Sequence, residues 1–241
     1  MEKLISSKGC GPLLIRLSFH DAGVFNGSNG CPNAAMRLAG GGEYAFGANA
    51  DLVRVALPLL QTITDKYVPR LISHADLWTL AANVAIRVMG GPDIVTHFGR
   101  ADAQAWGEGV HSAAGRLPDG DKDAKHLRDI FAPKGFADKD IVALSGGYTV
   151  GAWPDGKLKF DSSYFKDLLN KTWTKETVSG KLQYKSGNAT MLATDMALIE
   201  DPKFKPHVER YAKDQAAFFD DFKDAWVKVQ ELGCGQLRDI L

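Results

Sequence analysis

The 241-residue sequence has no excess of charge of either sign, because 29 Lys and Arg side chains balance 29 Asp and Glu side chains. A protein that binds nucleic acid or a strongly anionic surface usually carries a basic patch and a net positive charge, so the balance argues against both kinds of partner. The sequence also lacks any run of about 18 apolar residues, which argues against a transmembrane helix. We therefore expect neither a nucleic-acid partner nor a membrane partner.

Cysteine is scarce, with only Cys10, Cys31 and Cys234 in the chain. They are scattered, odd in number and without the spacing of metal ligands, which predicts a reducing compartment rather than a disulfide framework. Each is expected to be a lone buried thiol. No secretory signal is evident at Met1. We expect an intracellular protein, and the cytosol, the chloroplast and the mitochondrion all stay open.

Alternating strand patterns are scarce as well, and apolar residues recur at helical spacing instead. Asn49 is expected to cap a helix with one apolar face, bent at Pro58. Ser73 and Asp76 have the spacing of a capping box and precede a second helix that stops at Gly90. These patterns favour an all-α fold.

The second half of the chain extends this pattern. Asp138 is expected to cap a short helix over residues 139–144, and the aromatic and aliphatic positions after Pro206 predict one long helix that ends near Gly233. The polar stretch over residues 172–188 is the one place where a small β hairpin is expected. We predict a single domain over residues 1–241.

The stretch RLSFHDAG places Arg16 and His20 four residues apart, on one face of a helix. A neutral imidazole can take up a proton while a neighbouring guanidinium stabilises developing negative charge. The pair could also be a surface pair, or a core histidine with its hydrogen bonds satisfied. The preceding apolar run GPLLI favours a buried helix, in which a charged Arg16 needs a polar cavity.

Many further motifs occur in an order that resembles the intracellular haem peroxidases, the group that contains ascorbate peroxidase and cytochrome c peroxidase. The match covers roughly residues 4–233 and rests on GPLLIRLSFHDAG, GEYAFGAN, HADLWTLAANVAI, GRLPDGDKDAKHLRDIF, DKDIVALSGG, FDSSYFKDLL and LATDMALIEDPKF. The resemblance implies a distal helical lobe over about residues 1–133 and a proximal lobe over about 134–241. The C-terminal helix is expected to pack back, and haem b is expected between the lobes.

The resemblance implies a peroxide-reducing enzyme and assigns the distal catalytic residues. His20 would move a proton from the inner to the outer oxygen of hydrogen peroxide, and Arg16 would stabilise the charge on the leaving oxygen. Asn49 would accept a hydrogen bond from His20 and keep its other ring nitrogen basic, and Glu43 would hold the turn. Phe19 stands where this group usually has Trp, a change that is compatible with catalysis.

The stretch LSGGYTVGAW carries Tyr148 where the family has the His that binds the haem iron. Asp195 matches the carboxylate that orients this His. Three readings stay open: Tyr148 binds the iron as a phenolate, as Tyr does in catalases; its hydroxyl donates to Asp195 and leaves the iron; or the Tyr is an engineered change made to study the axial ligand. Alongside the peroxidase, a pseudoperoxidase with weak or no haem, acting as a structural or binding protein, is the alternative function.

The same resemblance implies further ligand contacts. Pro118 and Ser145 would belong to the haem site, and Thr149 and Asp161 match two ligands of a proximal K⁺ or Na⁺ site. Lys8 and Cys10 match residues at the edge where ascorbate binds. The segment after Tyr148 is shorter than in the family, and the missing piece would carry both an Arg that contacts ascorbate and a Trp that serves electron transfer from cytochrome c. A small reductant such as ascorbate is the expected partner, ahead of cytochrome c. Trp153 and the pair Lys157 and Lys159 in this segment are expected to be packing or solvated residues rather than haem contacts.

Overall fold

The computed structural model describes residues 1–105, 112–151 and 158–239. Trp153 and Lys157, considered above for the haem site, lie outside these ranges. The described helices and strands are listed in chain order: α1 Glu2–Lys8, α2 Gly11–Ala22, α3 Gly42–Ala45, α4 Leu57–Tyr67, α5 His74–Val88, α6 Ala124–Phe131, α7 Asp138–Ser145, α8 Ser163–Asn170, β1 Thr174–Val178, β2 Lys181–Ser186, β3 Ala189–Leu192, α9 Ala193–Glu200, α10 Lys205–Lys213 and α11 Gln215–Gln230. The predicted all-α class is confirmed.

The chain divides into two compact units. The first comprises Met1–Leu117, Val150–Phe160 and Trp226–Leu241, and the second comprises Pro118–Thr149 and Asp161–Ala225. The N-terminal stretch of the first unit runs to Leu117, and in the second unit α6 packs with α7 and α9. The C-terminal residues belong to the first unit. Among the described residues, no helix has both the length and the apolar character needed to cross a membrane.

In the first unit, α2 and α5 form the main helix pair. Pro12 stands in the first turn of α2, where its missing N–H leaves no helical hydrogen bond unmade. The Ser73 hydroxyl caps α5 by accepting from the Asp76 N–H at 3.0 Å. The predicted capping box is only half correct, because the Asp76 carboxylate accepts from the Arg100 guanidinium and the Gly99 N–H, each at 2.9 Å, instead of reaching back to Ser73.

The segment after Asn49 differs from the predicted capped helix. Asn49 ends a short 3₁₀ turn and makes no side-chain cap, since its amide group is engaged in the site described below. A π-helical turn over Leu52–Ala56 follows, and α4 begins only at Leu57, with Pro58 in its first turn. Proline is tolerated there, so the bend expected at Pro58 is replaced by the wider turn before it.

In the second unit, Asp138 is the first residue of α7 rather than its cap. Its carboxylate forms a paired ion bridge with the Arg128 guanidinium at 2.8 and 2.9 Å, which takes it away from the helix terminus. The terminus is served by Asp140, whose carboxylate accepts from the Ala137 N–H at 3.0 Å. The prediction of the helix was right, and the choice of its capping side chain was wrong.

The predicted long C-terminal helix is two helices, α10 and α11, separated by Asp214. The backbone of Asp214 is extended, with φ −129° and ψ 97°. Its carboxylate accepts from the Ala217 N–H at 3.0 Å and so caps the first turn of α11. A short acidic side chain that satisfies a free backbone N–H favours a new helix start over continuation of the old one.

The polar stretch predicted as a hairpin forms a three-stranded antiparallel sheet in the order β1-β2-β3. Thr174 pairs with Lys185 across the first two strands, and Gln183 pairs with Leu192 across the next two. The hairpin prediction is confirmed, but the third strand was missed because it lies outside the polar stretch. β3 leads directly into α9, whose first turn carries Asp195.

Candidate active site

The first unit brings together the residues expected to handle peroxide. His20 lies in the last turn of α2, and its Nδ1 is 2.6 Å from Asn49 Oδ1. The Asn49 amide donates in turn to the Glu43 carbonyl oxygen at 2.8 Å. Because an amide oxygen only accepts, this bond fixes a proton on His20 Nδ1 and leaves the lone pair on Nε2.

Arg16 lies one helical turn before His20. Its Nε is 3.5 Å from His20 Nε2, and its guanidinium also donates to the Ala48 carbonyl oxygen. The pKa of His20 is lowered to about 4, chiefly by burial and also by the positive charge of Arg16, while the bond to Asn49 acts in the opposite direction. His20 is therefore a neutral base beside a permanent cation at neutral pH.

Glu43 serves the turn through its backbone rather than its carboxylate. The side chain is fully buried, and neither carboxylate oxygen has a hydrogen-bond partner among the described residues. Burial raises the pKa of Glu43, the nearby Asp21 raises it further, and Arg116 opposes the shift. The pKa of Asp21 is raised by burial as well. The resemblance gave the turn to the acid group of Glu43, whereas the observed bond from Asn49 goes to the Glu43 carbonyl oxygen.

Phe19 packs beside the imidazole. Its ring meets His20 edge-on at 6.1 Å and stacks on Trp226 at 6.4 Å, both measured between ring centroids. It also packs with Phe46 against the small core cluster of Val24, Ala113 and Leu117. Phe19 thus limits how far the His20 ring can turn.

The second unit carries the segment with Tyr148, in a 3₁₀ turn over Gly146–Val150 that follows α7. A Cβ on Gly146 would lie 2.4 Å from Phe218 and 2.7 Å from Phe165, so only glycine lets this turn approach the aromatic core so closely. The next residues, Thr149 and Val150, are buried, whereas 56% of Tyr148 is exposed. The turn therefore presents the Tyr148 phenol outside the packed residues that surround it.

Asp195 makes a hydrogen bond that sequence reasoning missed. Its Oδ1 accepts from the Tyr164 hydroxyl at 2.7 Å, and its Oδ2 accepts from the Leu192 N–H at 2.7 Å. Burial raises the pKa of Asp195, and the two hydrogen bonds oppose the shift. The pKa of Tyr164 rises well above its usual value through burial and Asp195, with a smaller contribution from Tyr148. The second reading of Tyr148 gave this carboxylate a bond from Tyr148, and the observed donor is Tyr164.

Tyr164 stands inside the quoted motif FDSSYF, but no role was assigned to it. The signal available in the sequence was indirect. A buried carboxylate needs a hydrogen-bond donor, and a tyrosine on the neighbouring helix is a suitable group.

Other predicted residues are distributed as follows. Thr149 Oγ1 is 3.2 Å from Asp161 Oδ1 and 3.2 Å from Ser163 Oγ, so the two residues expected at a cation site are adjacent. Ser145 Oγ donates to the Ile141 carbonyl oxygen within α7 at 2.8 Å. Pro118 is half-buried at the start of the second unit.

Lys8 and Cys10, expected near a reductant, differ in exposure. Lys8 is exposed in the last turn of α1, whereas Cys10 is fully buried between α1 and α2 with its Sγ 4.0 Å from the Leu4 carbonyl oxygen. The alternative for Cys10, a lone buried thiol, is confirmed. Cys31 and Cys234 are only partly buried, so the same expectation was wrong for them.

Comparison with known proteins agrees with this arrangement. The family model described as Peroxidase matches residues 1–155 and 152–214. Probable L-ascorbate peroxidase 3, peroxisomal, from Oryza sativa subsp. japonica is 43% identical over 97% of this chain and 77% of its own length. A putative heme-binding peroxidase from Cryptococcus neoformans is 42% identical over 92% of this chain and 72% of its own length. The mitochondrial cytochrome c peroxidase from Aspergillus fumigatus is 40% identical over 92% of this chain and 63% of its own length.

Proposed function

Because the chain belongs to the peroxidase family, we propose that it binds haem and reduces hydrogen peroxide, with Arg16 and His20 acting on peroxide and Tyr148 in the axial position. Haem, when bound, supplies the iron that binds peroxide and the electrons that break its O–O bond. The observation that carries the proposal is the hydrogen bond between His20 and Asn49, together with Arg16 one turn away.

His20 is the proton carrier of this proposal. With Nδ1–H donated to Asn49, Nε2 can accept the proton of the inner peroxide oxygen and return it to the outer one. The low pKa of His20 keeps Nε2 unprotonated at neutral pH, so the base is ready before peroxide arrives. Phe19 restricts the ring, which keeps Nε2 in a constant direction.

Arg16 is the charge-stabilising group. A guanidinium keeps its positive charge at every physiological pH, and it is most effective where water is excluded and the group is fixed in advance. Its hydrogen bond to the Ala48 carbonyl oxygen supplies that fixation. The leaving oxygen of peroxide acquires negative charge as the O–O bond breaks, and Arg16 stabilises that charge.

The axial assignment of Tyr148 rests on its exposure and on the partners of Asp195. The Tyr148 side chain is 56% exposed, next to the buried Thr149. A nearby carboxylate opposes the phenolate form that iron requires. Asp195 accepts hydrogen bonds from Tyr164 and from the Leu192 N–H, and burial raises its pKa. These residues fit a Tyr-ligated haem.

The finer assignments follow the resemblance. Haem b is the proposed cofactor, with Pro118 and Ser145 in its pocket, and the adjacent oxygens of Thr149 and Asp161 form the proposed K⁺ or Na⁺ site. Relatives are named for ascorbate and for cytochrome c. We propose a small reductant such as ascorbate, with the exposed Lys8 at its edge, rather than cytochrome c. Cys10 would support that edge from the core. An intracellular location is proposed with it.

A steady-state assay tests the proposal. We expect His20→Ala to lower peroxide-dependent oxidation of a small reductant by about 10²–10⁴-fold in the haem-loaded protein, which is the range for loss of a positioned general base. His207→Ala is the matched control, because His207 stacks on Tyr211 in α10 and takes no part in the proposed site. Haem content is measured by absorbance in every variant, so that lost turnover is separated from lost cofactor.

The pH profile provides a second readout. Since Nε2 accepts a proton only when His20 is neutral, the rate should stay constant near neutrality and fall as the pH drops through about 4. An acid limb between pH 6 and 7, near the ordinary pKa of about 6.5 for histidine, would contradict the burial of His20 as the controlling factor. If His20→Ala turns over peroxide at the parental rate, the proposed role of His20 is wrong. A parent protein that binds little or no haem and does not turn over peroxide would favour the alternative of a pseudoperoxidase.

A further inference from the structure

Cys31 and Cys234 are far apart in sequence but lie in the same unit, and the residues just before them are in backbone contact. Gly233 has a φ of +67°, and a Cβ built on it would lie 2.2 Å from the Gly30 carbonyl oxygen. Only glycine allows this approach. Cys31 and Cys234 each follow one of these two glycines by one residue, so the close approach brings both cysteines to the same part of the unit. A disulfide between them needs a Cα separation of about 4.4–6.8 Å.

The electrostatic surroundings of the two thiols place them near each other independently. Burial raises the pKa of Cys234 to about 12; Arg100 opposes the shift, and Cys31, Asp21 and Glu231 add to it. Burial also raises the pKa of Cys31, with Asp21 again contributing, together with Glu43. The same carboxylate, Asp21, thus raises the pKa of both thiols, and Cys31 contributes to the raised pKa of Cys234.

Exposure distinguishes this pair from the third cysteine. Cys31 and Cys234 are partly exposed, whereas Cys10 is fully buried. The segment after Cys234 has room to adjust, since a Cβ on Gly235 would meet no atom within 4 Å. A small oxidant can reach the pair, and the backbone can make the short movement that bond formation requires.

We propose that Cys31 and Cys234 are a redox-active pair that closes to an intramolecular disulfide when hydrogen peroxide persists. In the first step the thiolate of one cysteine attacks a peroxide oxygen, giving a sulfenic acid and hydroxide. In the second step the other thiol attacks the sulfenic sulfur, and water leaves as the S–S bond forms. The two thiols lose two electrons in total, and one peroxide molecule becomes two molecules of water.

The reaction needs no haem, and it goes beyond the peroxidase chemistry of Arg16 and His20. Because only thiolates attack peroxide and both thiols hold their protons firmly, closure is slow at neutral pH. The pair therefore responds to sustained peroxide rather than to each catalytic cycle. Its bond would fasten the segment after α11 to the loop that follows α2, the helix that carries His20.

Peptide mapping of the full chain tests the pair directly. The purified protein is incubated with hydrogen peroxide or with diamide, unfolded in N-ethylmaleimide and digested without reductant. We expect a linked Cys31–Cys234 peptide, a fall from three free thiols to one, and a rate with peroxide that rises about tenfold per pH unit below the pKa of the attacking thiol. Diamide oxidises thiols without peroxide, so the result with diamide does not depend on whether the peroxidase proposal is correct.

Substitutions of single cysteines provide the controls for this experiment. Cys31→Ser and Cys234→Ser should each abolish the linked peptide, and Cys10→Ala should retain it. Over-oxidation of Cys31 or Cys234 without a linked peptide, a bond to Cys10, a bond between two molecules, or three unchanged thiols after both oxidants would each overturn the proposal.

Discussion

In the first unit, His20 bonds to Asn49, and Asn49 bonds to the backbone carbonyl oxygen of Glu43, all within the stretches whose motifs pointed to a site. In the second unit, the buried carboxylate Asp195 accepts from Tyr164, a donor to which no role had been assigned. The difference shows that a buried carboxylate can have a donor that local motifs do not reveal. The buried acceptor keeps a donor, so the cost of an unsatisfied carboxylate does not arise.

The two units also differ in how firmly their proposed functional residues are held. The residues proposed to move protons and stabilise charge contact a buried amide and a packed phenyl ring in the first unit. Tyr148, the residue proposed to hold the iron, is 56% exposed. We therefore expect the proposed axial position to limit haem retention more than the proposed catalytic residues do.

Replacing Tyr148 with histidine should have the largest effect on haem affinity and peroxide turnover. We expect Tyr148→His to raise both haem affinity and peroxide turnover by at least about tenfold, since imidazole suits ferric and ferrous haem in peroxidases. Tyr67→His, at the end of α4, is the control for a new surface histidine. Haem titration and turnover are measured together. If Tyr148→His matches the parent in both, then residue 148 does not face the iron.

Removing the Tyr164 hydroxyl should have a smaller effect, on the free energy of unfolding. Tyr164→Phe leaves a buried Asp195 oxygen without its 2.7 Å hydrogen bond, which should cost about 1–3 kcal/mol of unfolding free energy. Tyr211→Phe is a matched control, because its acceptor Asp221 keeps Lys139 and Arg210 as partners. Urea unfolding of both variants measures the difference. Equal losses would mean that Asp195 does not depend on Tyr164.

Much of the candidate site could be predicted from the sequence because it consists of local motifs. The four-residue spacing of Arg16 and His20 fixes a shared helix face, and the motif order supplies Asn49 and Glu43. The bond between Tyr164 and Asp195 could not be predicted this way. It joins α8 to α9, two helices that the three strands separate along the chain.

The positions where helices begin and end were predicted less well than the helices themselves. Asp138, Asp214 and Asn49 all have side chains that can cap a helix, and local spacing cannot tell which of them has a better partner. Asp138 is used by Arg128 and Asn49 by His20, while Asp214 does cap and thereby divides a helix that periodicity joined. Cys31 and Cys234 illustrate the same limit, because only the folded backbone brings Gly30 and Gly233 together.

The absorption spectrum of the haem-loaded protein, recorded beside that of Tyr148→Phe, is the most direct test of iron ligation by Tyr148. We expect a Soret band together with a charge-transfer band typical of phenolate bound to iron. The charge-transfer band should disappear in Tyr148→Phe. Identical spectra for the two proteins, or no Soret band after haem is added to the parent, would contradict iron ligation by Tyr148.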